Sequence, residues 1–537
     1  MVAMRRKTRE ILVGNVGVGG GNPVRIQSMT TSPTDDVKAT VDQILRLEEV
    51  GCEIARVTVQ GKKEARACEN IKNSLIQKGS RIPLVADIHF YPPAAMLVAD
   101  FVDKVRVNPG NYLDRRATFR NDAAFDDQAY IEEGFSPLVL KCKSLGRAMR
   151  IGTNHGSLSD RIMCKYGDTP QGMVESAIEY AKVCRTHDYH NFLFSMKSSN
   201  PLIMIQAYRL LVQRMDELSW DYPLHLGVTE AGDGENGRIK SAVGIGALLL
   251  EGLGDTIRVS LTEDPWLEID SCKRLRDFAE KSEKRRAKWG EIPVRQKLED
   301  PYLHPDGSVV AHVSKEDLER PDFFEAIGCD LYLGRPQKGE FCADAIYVEK
   351  IDKEKKTLLE TAGIGVFTTP HPAILHYASD VSYEDLLIQA SAKVGAILAD
   401  GIGHGVCIEG SYPLEKKIDF SFKLLQACRM RATKTEFISC PSCGRTLFDL
   451  QEVTQKIRER TDHLPGVKIA IMGCIVNGPG EMADAHFGYV GSGKGKIDLY
   501  VGKERVEKGI PEGEAVDRLI ALIQSHGMWV EPLVLNS

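Results

Sequence analysis

Nowhere in the 537 residues does an apolar run reach the length of a membrane span, which excludes a helical membrane protein. The first residues, MVAMRRKTREILVG, are basic but lack the apolar core and cleavage site of a secretory signal. The expected compartment is therefore the cytoplasm. A basic excess is missing too: the net charge of −6 leaves no footprint for a general nucleic-acid binder. The glycine run VGVGGGNP (16–23) lacks the Lys-Ser/Thr of a P-loop and precedes the first candidate strand. It reads as a turn closing the bottom of the fold. No flavin or nicotinamide fingerprint is present, so electrons for any redox chemistry must come from outside the chain.

What is there is a long chain of ordinary globular composition, 43% hydrophobic and 27% charged, long enough for two to four domains. Candidate strands at 24–28, 54–59, 84–88, 104–107, 148–152, 192–196, 224–228 and 256–260 alternate with helix-period segments such as 35–50 and 62–78. Eight strands with intervening helices over this length predict a (β/α)8 TIM barrel, and residues 112–134 form an excursion before the fifth strand. The charged stretch 280–295 (EKSEKRRAKWGEIPVR) predicts a solvated helix running into a boundary. The segment GALLLEGLGDTIRVS (246–260) then recurs as GAILADGIGHGVCIE (395–409) at a constant offset of 149, with Gly246, Gly252 and Gly254 on Gly395, Gly401 and Gly403. In the copy Arg258 and Ser260 become Cys407 and Glu409, as in a spacer derived from the barrel that has lost its ligand site. The expected architecture is α/β: a barrel (1–279), a barrel-derived α/β insert (280–433) and a Gly-rich α+β unit (434–537).

Most of the 13 cysteines are scattered singly in apolar surroundings and read as small core residues of a reduced compartment. Three are arranged otherwise. FISCPSCGRT places Cys440 and Cys443 on one turn, and IMGCIVNGPGE adds Cys474 about thirty residues later. Three thiolates suit a cluster better than structural zinc, which normally closes with a fourth Cys or His. No fourth cysteine follows, but Glu481 ends the loop and offers a harder, exchangeable ligand. A zinc ribbon completed by His463, His486 or Asp484, or a simple dithiol, remain alternatives on spacing alone.

CPSCGRT followed by MGCIVNGPGE resembles the signature of the 4-hydroxy-3-methylbut-2-enyl diphosphate synthases, iron–sulfur enzymes of the methylerythritol phosphate route to isoprenoids. VRIQSMTTSPTDD, RVTVQ, ADIHF, VRVNPGN, RIGTNHGSL, SMKSSN, LGVTEAG and IRVSLTEDP extend the resemblance across the barrel. The insert matches the longer form found in plants and some bacteria. The resemblance implies a [4Fe–4S] cluster on Cys440, Cys443 and Cys474, with Glu481 in the fourth position until substrate arrives. It implies a cyclic diphosphate held by Arg56, Arg106, Arg150, Asn154, Lys197, Arg258 and Ser260, with Glu230 beside the reacting carbon. Arg106, Arg150, Glu230 and Arg258 fall at or just beyond strand ends, the face where barrel active sites lie, and several guanidiniums there would cage two phosphates. Asp87 and His89 read either as substrate contacts or as a buried pair orienting their loop. The implied reaction is reductive ring opening and dehydroxylation of 2-C-methyl-D-erythritol 2,4-cyclodiphosphate. The implied donor is ferredoxin or flavodoxin; the chain would act as a monomer or homodimer, with neither nucleic acid nor membrane as partner. A zinc-ribbon or iron–sulfur binding or sensor protein on a barrel scaffold is the alternative.

Overall fold

The computed structural model describes residues 5–113, 127–285, 289–290, 304–312, 345–347, 356–359, 364–368, 373–476, 478–482 and 484–532. A hairpin of β1 (Ile11–Val13) and β2 (Val16–Val18) opens the chain. Eight parallel strands follow: β3 (Arg25–Met29), β4 (Ile54–Val59), β5 (Leu84–Ile88), β6 (Lys104–Val107), β7 (Ala148–Asn154), β8 (Phe192–Lys197), β9 (His225–Leu226) and β10 (Thr256–Ile257). Their order, β8-β7-β6-β5-β4-β3-β10-β9, closes through a bridge between Phe194 and Leu224, completing the predicted barrel. Every residue of β4 and β5 is buried, as expected of strands covered on both faces. The last two strands are shorter than the sequence pattern. Residues 227–230 and 258–260 leave the ladder and run as open chain into the barrel mouth.

The glycine run behaves as expected. Ile11, Val13 and Val18 of the hairpin pack on Ile54, Val85, Ala148 and Leu193, near the starts of four strands, and so plug the bottom of the barrel. Two other expectations need correction. The excursion at 112–134 ends in the helix Asp127–Ser144; residues 114–126 lie outside the described residues. The charged segment at 280–295 does not continue as a solvated helix over its described part, because the helix Leu267–Lys281 stops there. Arg285 instead turns inward, its side chain only 9% exposed, and reaches Glu251 at 2.7 Å and Asp400 at 2.6 Å.

The insert holds a six-stranded sheet in the order β12-β11-β16-β15-β14-β13: β11 (Ser308–His312), β12 (Ala345–Tyr347), β13 (Lys356–Leu359), β14 (Ile364–Thr368), β15 (Ala373–Ala378) and β16 (Gly405–Glu409). The internal repeat extends further than its sequence match. Helix Gly234–Leu250 reappears as Tyr383–Ala399, shifted by 149 at both ends, and the parallel neighbours β9 and β10 reappear as β15 and β16.

The two copies pack on each other about a pseudo-twofold. A Cβ on Gly246 would lie 2.4 Å from Ala392 Cβ, and one on Gly395 would lie 2.7 Å from a methyl of Val243, the repeat partner of Ala392. Glu251 and Asp400, also repeat partners, share Arg209 and Arg285 at the helix ends. Glycine costs about 1 kcal/mol relative to alanine inside a helix, and here it permits the close approach of two backbones. Gly246→Val should therefore destabilise the chain by about 1–3 kcal/mol, read as a lowered midpoint of urea unfolding with unchanged slope.

The C-terminal unit is a mixed sheet, β17 (Glu436–Ser439), β18 (Lys468–Met472), β19 (Phe487–Gly493), β20 (Lys496–Val501) and β21 (Glu504–Pro511), in sequential order. Its first three strands are parallel and its last three antiparallel. Helices Leu450–Thr461 and Glu512–Ser525 contribute to its larger core.

Candidate active site

The barrel mouth and the C-terminal unit together line one cavity of about 70 Å³. Arg56, Asp87, Arg106, Arg150, Asn154 and Lys197 come from β4 to β8, while Glu230, Arg258 and Ser260 come from the open segments after β9 and β10. Cys440, Cys443, Arg445, Cys474 and Glu481 face them from the loops following β17 and β18. All these residues belong to one chain.

Parallel register sets the cations side by side, because Asp87 pairs with Arg106 and Arg106 with Arg150. Space for them comes from missing side chains: a Cβ on Gly152 would meet Arg106 Nε at 2.8 Å, and one on Gly227 would meet Lys197 Nζ at 2.7 Å. Burial, reinforced by neighbouring cations, lowers Arg56 to about 10 and pushes Arg150 and Lys197 well below their usual ranges. Arg106 Nε and Arg150 Nε and Nη1 are buried without a hydrogen-bond acceptor. Unsatisfied donors and crowded cations are costly in a low dielectric, and a polyanion at this point would relieve both.

Two carboxyls oppose one another at the centre. Glu481 accepts a 2.7 Å hydrogen bond from Asn154 Nδ2, across the boundary between barrel and C-terminal unit. Glu230 lies beside it; burial first, and then Glu481, raise its carboxyl well above the usual range. Its Oε2 has no hydrogen-bond partner. Glu230 has φ = 48° and Ser442, between the two Cys of the CxxC turn, φ = 58°. Such left-handed conformations are strained for residues with a side chain and collect at functional sites.

Asp87 and His89 form a buried network orienting Arg106. Arg106 Nη1 is 3.1 Å from Asp87 Oδ1 and 2.7 Å from His89 Nε2. Burial drops His89 to about 3, so its imidazole is neutral, and Nε2 accepts from the guanidinium. The ring proton then sits on Nδ1, 3.1 Å from the Asn111 amide, whose oxygen must be the atom turned towards it. Asp87 lines the cavity as well, and Arg445 reaches it at 3.4 Å from the opposite side.

The geometry of the cysteines bears on what they can hold. Around one tetrahedral zinc, thiolate sulfurs stand about 3.8 Å apart. Among the described residues, no three of Cys440, Cys443, Cys474 and Glu481 bring their ligand atoms within 4.8 Å of one another. His463 is engaged with the Val530 carbonyl and His486 with the Lys468 N–H, and neither lines the cavity with the cysteines. Asp484 is not among the lining residues.

The family model for the GcpE TIM-barrel domain matches residues 8–273, and that for the GcpE C-terminal domain matches 436–525. The chain belongs to the GcpE family. Among its GcpE relatives is the 4-hydroxy-3-methylbut-2-en-1-yl diphosphate synthase (flavodoxin) of Protochlamydia amoebophila, 50% identical over 99% of this chain and 98% of that protein. The chloroplastic ferredoxin-type synthases of Oryza sativa and Arabidopsis thaliana are 47% and 46% identical, over 99% of this chain and 88% and 89% of theirs.

Every site residue expected from the sequence lines the cavity, and several are already engaged. Asn154 holds Glu481, and Arg258 is tied to Glu268 through Nε at 3.1 Å and Nη2 at 2.9 Å. Burial opposes the Arg258 cation, but Glu268 outweighs it and raises the guanidinium above its ordinary value. Sequence reasoning missed Glu268 and Arg445. Arg445 was within reach as a cation two residues beyond the CxxC pair; nothing in the local sequence marks Glu268 as the partner of a strand-end arginine.

Proposed function

We propose that this chain converts 2-C-methyl-D-erythritol 2,4-cyclodiphosphate to (E)-4-hydroxy-3-methylbut-2-enyl diphosphate, taking up two electrons and two protons and releasing one water. The observation carrying this reading is the surplus of buried cations, with unpaired donors on Arg106 and Arg150, facing three cysteines across one cavity. Arg56, Arg106, Arg150, Lys197, Arg258 and Ser260 bind the diphosphate, bidentate guanidiniums supplying most of the orientation. The donor set lining one cavity fits a [4Fe–4S] cluster on Cys440, Cys443 and Cys474, with Glu481 as the exchangeable fourth ligand and Asn154 steadying that carboxylate. The cluster supplies electrons and an open iron for the departing oxygen. Glu230, beside Glu481, holds the proton that leaves with this oxygen.

The barrel and the C-terminal unit meet closely. Gly480 presses on the Gly156 carbonyl and Gly444 on that of Ser32, while Lys240 and Glu436 form a buried ion pair at 3.0 Å. Both halves of the cavity come from one chain, which supports a functional monomer. The three larger sheets support units at 1–279, 280–433 and 434–537. The names of the relatives support flavodoxin or ferredoxin as electron donor, and the bacterial relative supports a cytoplasmic location. Among the described residues no helix is long and apolar enough to cross a membrane. A zinc-ribbon or sensor protein would have no use for the cation cage.

Anaerobic turnover tests the reading. The reconstituted brown protein, given the cyclodiphosphate, a strong reductant and a viologen mediator, should form the allylic diphosphate as followed by mass spectrometry. No product from protein with a verified cluster would overturn the substrate assignment.

A further inference from the structure

We propose that the insert carries a zinc site of its own, formed by His376, Cys407 and Glu409. In the parallel pair β15–β16, His376 stands in register with Cys407, and Glu409 follows two residues later. The period-2 alternation of a strand puts all three side chains on one face. Leu375, Tyr377, Val406 and Ile408, pointing the other way, join the core beneath helices Tyr383–Ala399 and Leu414–Ala427. The imidazole nitrogen, thiol sulfur and carboxylate oxygen all lie within 4.8 Å of one another, and His376 Nε2 is 3.1 Å from Glu409 Oε1. Cys407 and His376 are buried, whereas the Glu409 side chain is 26% exposed, which gives an ion a route in from solvent.

The chemistry of the trio selects the ion. A thiolate disfavours calcium and magnesium, while imidazole, thiolate and carboxylate together match zinc, whose tetrahedron keeps a fourth position for water. The repeat supplies an independent observation. At the offset of 149, the barrel residues under His376, Cys407 and Glu409 are Gly227, Arg258 and Ser260. In the barrel Gly227 makes room for Lys197, and Arg258 and Ser260 line the anion cavity. All three positions have changed to residues that bind zinc, at the same end of the same pair of strands. The copy has thus exchanged an anion site for a cation site. None of the three lines the catalytic cavity.

The cluster-loaded full chain, incubated with zinc chloride and desalted, should retain one zinc per chain by elemental analysis. Zinc K-edge absorption should show one sulfur at about 2.3 Å and nitrogen or oxygen neighbours at about 2.0–2.2 Å. In the double variant His376→Gln/Cys407→Ser, retained zinc should fall at least tenfold, with iron content and turnover kept within about twofold (a ligand change remote from the cavity). No zinc above background in the parent chain overturns the proposal, as does equal zinc in parent and variant. The sulfur count decides even if the double variant fails to fold, because zinc captured by a partly filled Cys440–Cys443–Cys474 set would show more than one sulfur.

Discussion

Cys474→Ser should give a folded, colourless chain with iron reduced to background and turnover below about one hundredth of the parent. The physical case rests on ligand number and softness. The C-terminal unit offers three thiolates and one carboxylate to the cavity, so losing one thiolate leaves two, and a serine oxygen is a much poorer partner for a cluster iron. Position 474 separates ligation from folding better than position 440. Cys440 packs against both hydrophobic clusters of the unit and its Sγ accepts the Gly473 N–H at 3.3 Å, so Cys440→Ser would also disturb the core. Cys474 belongs to neither cluster. Iron content, visible absorbance and the urea midpoint should be measured on the same preparation. An unchanged midpoint with lost colour is the expected result; full colour and turnover would remove Cys474 from the ligand set.

The barrel was legible because parallel strands covered on both faces are written as continuous apolar runs. The boundaries of β4, β5 and β6 follow from the sequence residue for residue. β9 and β10 were read too long for a reason tied to function. Arg258 and Ser260 stand in strand-like sequence, but they line the cavity, as does Glu230 just past residue 228, and the ladder ends before them. The charged stretch after Lys281 misled in the opposite direction: Arg285 reads as solvated surface until Glu251 and Asp400, distant in sequence, are brought beneath it by the repeat. Burial of paired charges at a pseudo-symmetric interface leaves no local signature. Likewise Asn154 and Arg258, expected from the sequence to hold substrate, line the cavity, but their resting partners, Glu481 and Glu268, depend on long-range packing that no local sequence shows.

Glu230→Gln should lower kcat by about 10²–10⁴-fold, the usual scale for removing a positioned proton donor or acceptor, while KM changes little. Glutamine keeps the volume and the planar terminal group, and it meets the same φ of 48°, so the backbone strain at this residue is unaltered. It also mimics the neutral carboxyl that burial and Glu481 favour at this position, preserving the resting charge of the pair. What it cannot do is give up or take a proton. Substrate affinity should survive because, in the proposed reaction, the guanidiniums and Lys197 carry the diphosphate, and no hydrogen bond joins any of them to Glu230 in this structure. The kinetic split is therefore diagnostic. If Glu230 handles the proton that leaves with the substrate oxygen, kcat and kcat/KM fall together at nearly constant KM. If it merely tempers the charge of the cage, removing the capacity for a negative charge there would lower KM for an anionic substrate and leave kcat close to the parent value. A rise in KM matched by the fall in kcat would instead mark Glu230 as a general support of the cavity and would sink its role in proton transfer.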